Sequence, residues 1–317
     1  MKLYFAPLEG ITGYVFRNAF NEAFKPDIDK YFSPFISPGV NQPLTPKELR
    51  DIAPEHNERI YLVPQILANN ADDFLLASKY IKDLGYKEIN LNLGCPSGTV
   101  VAKKKGAGLL GETDILERML DKIYSTTDMK VSIKTRIGKE SPEEFPALLD
   151  IFSKFPVEEL IVHPRVRNDY YNNSPNMESF ELAVNSYKGY DSHCKMSKLC
   201  YNGDILTKEQ FEHIGESYPE LDAVMIGRGF LRNPLLANEI QNNKNTDIEK
   251  VIHFHNLLLE GYIEIMSGER PVLFKMKELW FYMMDMFPDN DKLAKKIKKS
   301  EKLSVYNQLV EELFKNH

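Results

Sequence analysis

The chain has 317 residues, of which 43% are hydrophobic, a length and composition that exclude a disordered or fibrous protein and allow a large core. Its formal net charge of −6 argues against a chain that binds nucleic acid through bulk charge, although lysines cluster locally. Three cysteines without CxxC spacing argue against a disulfide framework or a metal site, and with no membrane-length hydrophobic run or signal peptide we expect a cytoplasmic protein.

Strand-like runs followed by helical segments recur through the first three quarters of the chain. They predict eight strands near residues 2–6, 30–33, 60–66, 88–92, 130–135, 159–163, 197–201 and 222–226. Eight strands that alternate with helices indicate an α/β fold of the (β/α)8 TIM-barrel class, which we assign to residues 1–240. The active site of such a barrel lies at the carboxyl ends of its strands, so polar side chains are expected just after each strand.

A single cysteine follows the fourth predicted strand, whose sequence EINLNL alternates apolar residues with asparagine. Gly94 permits a tight bend and Pro96 restricts the backbone, so the side chain of Cys95 has a defined direction. An isolated cysteine is more often a buried packing residue, but its place at a strand end favours catalysis. The following glycines match G-x-G-x-x-G too far from the strand for a dinucleotide site, and we interpret them as packing residues: Gly106, Gly108 and Gly111.

Charged side chains interrupt the next two predicted strands. Lys134 and Arg136 lie within the apolar strand VSIKTRIG, where an unpaired ammonium is unfavourable. Lys134 therefore needs a partner, either a bound ligand or a glutamate inside the barrel. His163 ends the sixth strand, and Tyr170 and Tyr171 follow it as a stacking surface or as loop packing.

The last two predicted strands are followed by glycine-containing loops. Residues 202–204 read Asn-Gly-Asp and residues 227–229 read Gly-Arg-Gly. Loops at these two positions of a TIM barrel commonly bind phosphate through backbone N–H groups at a helix N-terminus, and glycine allows the close approach. The pattern predicts a phosphate site.

Beyond residue 240 the pattern becomes helical. Residues 242–247 predict a polar linker, and residues 241–317 predict a C-terminal α-helical domain. One predicted helix face comprises Val251, Phe254, Leu257, Leu258 and Ile263, and a second comprises Leu273, Met276, Leu279, Trp280 and Met283. Lysines cluster at positions 275 and 277 and again between 292 and 302, where the default explanation is a solvated helix face.

These segments together resemble the flavin-dependent tRNA dihydrouridine synthases. The resemblance rests on LNLGCPSGTV with GAGLL, on the opening APLEGIT, on K-x-R-x-G at residues 134–138, on the two glycine loops and on FKMKELWFY at 274–282. The chain departs from the family near Ser33, where relatives often carry Thr-Glu, and at Pro164 and Val166, where they often carry Gly and Thr. Substrate contacts in those two loops therefore need not follow the family pattern.

The resemblance implies roles for individual residues. Cys95 is the implied catalytic acid. The implied FMN contacts are Pro7, Leu8, Glu9, Gln65, Lys134, His163, Asn202, Gly203, Asp204, Gly227 and Arg228. The implied contacts with substrate RNA are Asn92, Arg136, Lys275 and Lys277.

The reaction implied by the resemblance is reduction of the 5,6 double bond of uridine in tRNA. FMN reduced by NADPH or NADH gives hydride to C6 of an extruded base, and Cys95 gives a proton to C5. Three alternatives stay open from sequence: the same chemistry on ribosomal RNA, an FMN barrel that reduces a small molecule such as a dihydroorotate dehydrogenase, and a barrel that binds RNA without redox chemistry. We expect a monomer with tRNA as its partner and no membrane association.

Overall fold

The structure is a computed structural model that describes residues 1–39, 42–188, 198–241 and 247–316. It divides into two compact units. The barrel unit comprises Met1–Pro7, Asp29–Asp204 and His213–Ile226. The helical unit comprises Leu8–Ile28, Ile205–Glu212 and Gly227–His317.

The barrel unit is built on one parallel sheet. Its strand order is β3-β2-β1-β9-β8-β7-β6-β5-β4, and every neighbouring pair is parallel. The strands in the described residues are β1 Lys2–Phe5, β2 Lys30–Phe32, β3 Leu62–Val63, β4 Gln65–Ile66, β5 Glu88–Leu93, β6 Lys130–Gly138, β7 Leu160–Val166, β8 Leu199–Tyr201 and β9 Ala223–Ile226. The predicted TIM-barrel class is confirmed, as a nearly closed barrel of nine strands.

The ninth strand arises because the third predicted strand is divided at Pro64. β3 pairs with β2 and β4 pairs with β5, so the two edges of the sheet are separated by one residue of the chain. Proline has no N–H for a sheet ladder, although the carbonyl of Pro64 still accepts a hydrogen bond of 2.9 Å from the N–H of Asn90. The apolar pattern continues through the proline, and for this reason the sequence predicts a continuous strand over 60–66.

Helices follow the strands throughout the described residues, as predicted. Their bounds are α1 Tyr14–Phe24, α2 Pro46–Ile52, α3 Ala71–Asp83, α4 Gly98–Val101, α5 Thr113–Thr126, α6 Phe145–Ser153, α7 Met177–Lys188, α8 Lys208–Ser217, α9 Arg228–Arg232, α10 Leu236–Ile240, α11 Ile248–Ile265, α12 Glu269–Met283, α13 Asp291–Lys299 and α14 Leu303–Lys315. None of the helices in the described ranges combines the length and the apolar character that crossing a membrane requires.

A buried ion cluster occupies the amino ends of the barrel strands. Nζ of Lys30 lies 2.7 Å from a carboxylate oxygen of Glu88 and 3.3 Å from one of Glu159. The hydroxyl of Tyr4 donates to the other oxygen of Glu159 at 2.7 Å. Burial of these groups opposes charge on Lys30, but the two carboxylates outweigh it and raise the pKa of that lysine. The barrel therefore contains a Lys–Glu cluster at the end opposite to the predicted active site.

In the helical unit, α1 packs against α11. The ring of Phe16 meets that of Phe254 edge-on at 5.3 Å, and a Cβ at Gly261 would lie 2.7 Å from Cγ1 of Val15. Because of this packing, α1 belongs to the helical unit, whereas the sequence predicted a single boundary at 240/241. The predicted linker lies outside the described residues except for Asp247, which caps α11.

Most residues of the two predicted apolar faces of the helical unit are buried, but Leu257 is only partly buried and Ile263 is exposed. All five residues predicted for α12 are buried, as are Val251, Phe254 and Leu258 of α11. Ile263 was predicted wrongly, because its side chain is 50% exposed. The buried polar residue His255 takes part in the core of this unit instead.

Candidate active site

Cys95 lies just after β5 in a turn that fixes its backbone from both sides. The N–H groups of Gly94 and Cys95 donate to Oδ1 of Asn92 at 3.0 Å and 2.9 Å. The carbonyl of Cys95 accepts a 3.1 Å bond from the N–H of Ala107. Gly106 has φ +55, and a Cβ there would lie 2.9 Å from that of Cys95, so only glycine fits. The prediction that these glycines serve packing is confirmed, and the partly exposed thiol is held in place.

A chain of side-chain amides connects the barrel interior to this turn. Nδ2 of Asn90 donates to Oγ of Ser132 at 2.9 Å, and Nε2 of Gln65 donates to Oδ1 of Asn90 at 2.8 Å. Nδ2 of Asn92 then donates to Oε1 of Gln65 at 2.7 Å. Each hydrogen bond therefore fixes the orientation of the next amide, from Ser132 up to the turn that carries Cys95. Among the described residues, one N–H of Gln65 and one of Asn92 have no acceptor, so they can donate to a ligand.

Lys134 lies beside Asn92 on the neighbouring strand, with which it is in register. Its side chain is partly buried. Among the described residues, no hydrogen bond or ion pair to its ammonium is found, in contrast to Lys30. Burial, followed by the nearby charge of Arg136, lowers the pKa of Lys134 to about 8. Lys134 is thus a cation whose partner is not supplied by the described part of the chain.

His163 is held by an arginine that sequence reasoning did not single out. Nη1 of Arg165 lies 3.0 Å from Nε2 of His163, and Nη2 lies 2.5 Å from a carboxylate oxygen of Asp204. Nε of Arg165 donates to the carbonyl of Asn173 at 2.5 Å. A guanidinium has only donors, so Nε2 of His163 is the acceptor and the ring proton is assigned to Nδ1. Asp204, predicted to contact FMN, is paired with Arg165, and its contact with FMN stays a prediction.

Arg136, predicted to contact RNA, is only 1% exposed, and that contact stays a prediction. Its Nε donates to the carbonyl of Gly94 at 3.0 Å, Nη1 to that of Val166 at 2.8 Å, and Nη2 to that of Tyr170 at 2.8 Å. Its guanidinium also lies 5.6 Å from the ring centre of Tyr171. The geometry makes Arg136 a connection between the loops after β5 and β7.

Contacts within the barrel unit explain two residues of the predicted phosphate loop after β8. Nδ2 of Asn202 donates to the carbonyl of Met225 at 2.8 Å, which connects the ends of β8 and β9. A Cβ at Gly203 would lie 1.9 Å from the hydroxyl oxygen of Tyr201, so a larger residue is excluded there. Contact of this loop with a phosphate stays a prediction.

The remaining predicted flavin contacts lie in two short segments. Pro7 ends the first segment of the barrel unit. In the helical unit, the N–H of Leu8 donates to Oγ1 of Thr12 at 2.8 Å, and Glu9 in this turn is exposed. Gly227 and Arg228 begin α9 of the helical unit, and the carbonyl of Gly227 accepts a bond from Phe230 at 3.1 Å. Their contact with FMN stays a prediction.

The two lysines predicted to bind RNA make contacts within the helical unit. Nζ of Lys275 donates to the carbonyl of Gly10 and lies 3.0 Å from Glu278. Nζ of Lys277 donates to the carbonyl of Ser300 at 2.9 Å, at the end of α13. Both ammonium groups therefore stabilise the unit itself.

The more exposed basic surface is formed by α13. Within this helix only Leu293 and Ile297 are buried. Its lysines are all exposed, and none forms an ion pair within the described ranges: Lys292, Lys295, Lys296, Lys298 and Lys299. We call these five side chains the α13 lysine face.

Arg165 was missed although a signal was present. His163 and Arg165 are two residues apart on one strand, a spacing that places both on the same side of a sheet. A period-two pattern that continued past the predicted strand end would have found this pair. Asn90, which extends the amide chain, has the same spacing from Asn92.

The carboxyl ends of the barrel strands thus combine a held thiol, an ammonium with no partner in the described residues, and a histidine of fixed tautomer. This combination defines a TIM-barrel enzyme with its chemistry at the usual end of the barrel. The profile of the family described as Dihydrouridine synthase (Dus) matches residues 4–316. The chain belongs to the dihydrouridine synthase family, as the sequence motifs predicted.

Curated relatives agree with this assignment. A "Probable tRNA-dihydrouridine synthase" of Staphylococcus aureus strain N315 is 27% identical over 259 residues, which cover 81% of this chain and 77% of the relative. A "Probable tRNA-dihydrouridine synthase 2" of Bacillus subtilis strain 168 is also 27% identical over 259 residues, which cover 81% of this chain and 78% of that one. The chain is an enzyme of this oxidoreductase family.

Solved structures support the fold. A variant of NCR from Zymomonas mobilis superposes with a TM-score of 0.51 at 14% identity, covering 78% of this chain and 90% of that one. A morphinone reductase mutant in complex with tetrahydroNAD gives a TM-score of 0.51 at 10% identity, covering 76% of this chain and 86% of the other. At these identities the likeness concerns the fold alone.

Proposed function

We propose that this enzyme uses FMN and NADPH or NADH to reduce uridines in tRNA to 5,6-dihydrouridine. The observation that carries the proposal is the relation between Cys95 and Lys134. Oδ1 of Asn92 fixes the turn that presents the thiol, and Asn92 is in register with Lys134 on the adjacent strand. A proton donor and an ammonium that lacks a protein partner within the described residues are therefore provided on neighbouring strands.

The residues present fit an FMN ring. Reduced flavin is anionic, and the ammonium of Lys134 supplies a cation at the carboxyl ends of the strands without a competing carboxylate in the described residues. The remaining N–H groups of Gln65 and Asn92 provide donors for the polar edge of a flavin or of a base. We assign Lys134, Gln65 and the Nδ1–H of His163 to the cofactor.

The proton for the reaction comes from Cys95. FMN, when bound and reduced, supplies the hydride taken up by C6 of uracil. The thiol of Cys95 gives its proton to C5, so that one hydride and one proton saturate the double bond. An ordinary thiol is mostly protonated at pH 7 and is therefore in the right state to act as an acid. The hydrogen bonds to Asn92 and Ala107 hold its backbone while the proton is transferred.

An RNA partner is supported by the α13 lysine face. Five exposed ammonium groups on one short helix give the helical unit a local positive surface in an otherwise acidic chain. Nucleic-acid phosphates bind such surfaces with release of counterions. A barrel that reduces a small molecule has no need of this surface, and we therefore place that alternative second. The names of the relatives favour tRNA over ribosomal RNA as the substrate.

The cofactor is tested by the visible absorption spectrum of the purified protein and by identification of the molecule released on heating. We expect a flavin spectrum and FMN. A colourless protein that cannot be reconstituted with FMN contradicts the assignment of Lys134, Gln65 and His163. Dihydrouridine assays on separate tRNA and ribosomal RNA samples then distinguish the two RNA substrates.

A further inference from the structure

Tyr171 presents a half-exposed aromatic ring beside buried charged groups of the barrel unit. Its side chain is 49% exposed, although its ring lies 5.9 Å from the ring of His163 at an interplanar angle of 29°. The buried guanidinium of Arg136 lies 5.6 Å from the centre of the same ring. A tyrosine that served only core packing would be covered, and this one keeps half its surface accessible.

The loop that carries this ring is fixed at several points. The carbonyl of Tyr170 accepts a 2.8 Å bond from Arg136, and Oδ2 of Asp169 accepts one of 2.9 Å from the N–H of Val166. Tyr170 has φ +48, a conformation that is unfavourable for a non-glycine residue. Such strain persists only when the surroundings determine the conformation, so the position of Tyr171 is specified by the fold.

Arg136 also connects this ring to the thiol. Its Nε donates to the carbonyl of Gly94, the residue before Cys95, at 3.0 Å. One buried side chain therefore fixes the turn that presents the proton donor and the loop that presents the ring. A loop that only packs on the surface does not need to be linked to the turn that carries the thiol. A ligand that contacts both the thiol and the ring needs the two held at a fixed distance.

We propose that Tyr171 is a substrate-positioning residue on which a base of the RNA stacks, either the target uracil or its immediate neighbour. This inference rests on the proposed function, because reduction of a uracil requires that the base leave its stack. An aromatic platform replaces part of the stacking that the extruded base has lost. Every base has an aromatic face, so the contact holds the nucleotide without selecting its sequence.

The first experiment compares Tyr171→Ala and Tyr171→Phe, using unmodified tRNA transcripts as the substrate. For Tyr171→Ala we expect kcat/KM for dihydrouridine formation to fall about 10-fold or more. NADPH oxidation by oxygen without RNA should fall less than dihydrouridine formation, since the ring contacts His163 on one side and the RNA base stacks on its exposed surface. Tyr171→Phe should keep nearly full activity because it keeps the ring. Tyr80→Ala is the matched control, since Tyr80 on α3 is 51% exposed.

Equal activity of Tyr171→Ala and the unchanged enzyme overturns the proposal. So does an equal loss in Tyr171→Phe, which assigns the role to the hydroxyl, or an equal loss of NADPH oxidation, which assigns the ring to the barrel structure.

A second experiment is independent of the reaction. The chain has one tryptophan, Trp280, which is 3% exposed. Tyr171→Trp therefore adds the only solvent-accessible tryptophan, whose fluorescence RNA can quench by direct contact. We expect tRNA to quench the added fluorescence in Tyr171→Trp and to leave Tyr80→Trp unchanged. Absence of quenching contradicts stacking at Tyr171. If tRNA quenches the fluorescence of Tyr171→Trp but the unchanged enzyme forms no dihydrouridine, stacking at Tyr171 is supported and the proposed reaction is contradicted.

Discussion

Nη1 of Arg165 lies 3.0 Å from Nε2 of His163, and the same guanidinium is paired with Asp204. The carboxylate fixes the arginine, and the arginine in turn fixes which nitrogen of the imidazole carries a proton. A protonated imidazolium would place a donor against a donor, so this contact favours the neutral ring. His163 is therefore prepared as a donor through Nδ1.

The first prediction concerns this tautomer. Replacement Arg165→Met removes the donor that faces Nε2, so both tautomers of His163 should become populated. The ¹⁵N chemical shifts of the imidazole measure the tautomer directly, with His163→Gln to assign the signal. The exposed residue Arg118 provides the control Arg118→Met, which should keep the Nδ1–H form. An unchanged spectrum in Arg165→Met would show that another contact determines the tautomer.

The second prediction concerns the proton donor. Cys95→Ala should reduce dihydrouridine formation by about 10²–10⁴-fold, the usual effect of losing a general acid. Bound FMN and NADPH oxidation by oxygen should be retained, because the backbone bonds of the turn do not use the thiol. The measurement is the single-turnover rate together with the flavin content of each preparation. Full activity on RNA would remove Cys95 from the acid role.

The third prediction concerns Lys134. Because its pKa in the protein without cofactor is lowered to about 8, the ammonium loses its charge as the pH rises above that value. FMN binding should therefore weaken between pH 7 and pH 9.5. Lys134→Met should weaken binding at pH 7 and remove this part of the pH dependence.

Fluorescence titration of FMN onto the protein without cofactor measures the Kd. Lys130→Met is the matched control, since Lys130 is an exposed lysine at the start of the same strand. If Lys134→Met bound FMN with the affinity and pH dependence of the unchanged protein, Lys134 would not contact the flavin.

The sequence predicted the barrel well because its strands are short apolar runs separated by clear turn residues. Cys95 was found for a similar reason, since Gly94 and Pro96 mark a strand end. What the sequence did not predict depends on contacts distant along the chain. Asp204 is 39 residues from its partner Arg165, and Arg136 reaches a carbonyl 42 residues away.

The division into units could not be predicted for the same physical reason. An amphipathic helix such as α1 has one apolar face, and the sequence does not say which element covers it. A motif predicted that Lys275 and Lys277 contact RNA, and it gave no sign that their ammonium groups donate to backbone carbonyls of the helical unit. Their contact with RNA stays a prediction.

The fourth prediction concerns the stability of the helical unit. Nε2 of His255 lies 2.8 Å from the hydroxyl of Tyr306, which also accepts a 2.6 Å bond from Nε1 of Trp280. Burial lowers the pKa of His255 from 6.5 to about 4. The unfolded chain therefore binds a proton between these pH values that the folded chain does not.

This linkage predicts stability that is present above pH 6.5 and is lost as the pH falls to 4. At about 1.4 kcal/mol for each pH unit, the loss amounts to about 3 kcal/mol. Urea unfolding followed by Trp280 fluorescence, at a series of pH values, measures it. His255→Phe should have a flatter profile, whereas the exposed His253 makes His253→Phe a suitable control. A parallel profile for His255→Phe would contradict the assignment.

The fifth prediction concerns the α13 lysine face. The double variant Lys295→Ala with Lys299→Ala should weaken tRNA binding and reduce the slope of log K against log salt by about 0.7–0.9 for each RNA phosphate that these lysines no longer neutralise. The control removes two exposed lysines of the barrel unit, Lys79→Ala with Lys87→Ala, and should keep the slope. Identical slopes in the two double variants would show that the α13 lysines form a solvated helix face and do not bind RNA.

Reduction of uridine in tRNA is measured by mass spectrometry of nucleosides after incubation of unmodified tRNA with the purified enzyme, FMN and NADPH. We expect dihydrouridine at defined positions, with one NADPH consumed for each, and we expect Cys95→Ala to abolish most of it. A flavin-loaded enzyme that oxidises NADPH but forms no dihydrouridine in either tRNA or ribosomal RNA would contradict the proposed function.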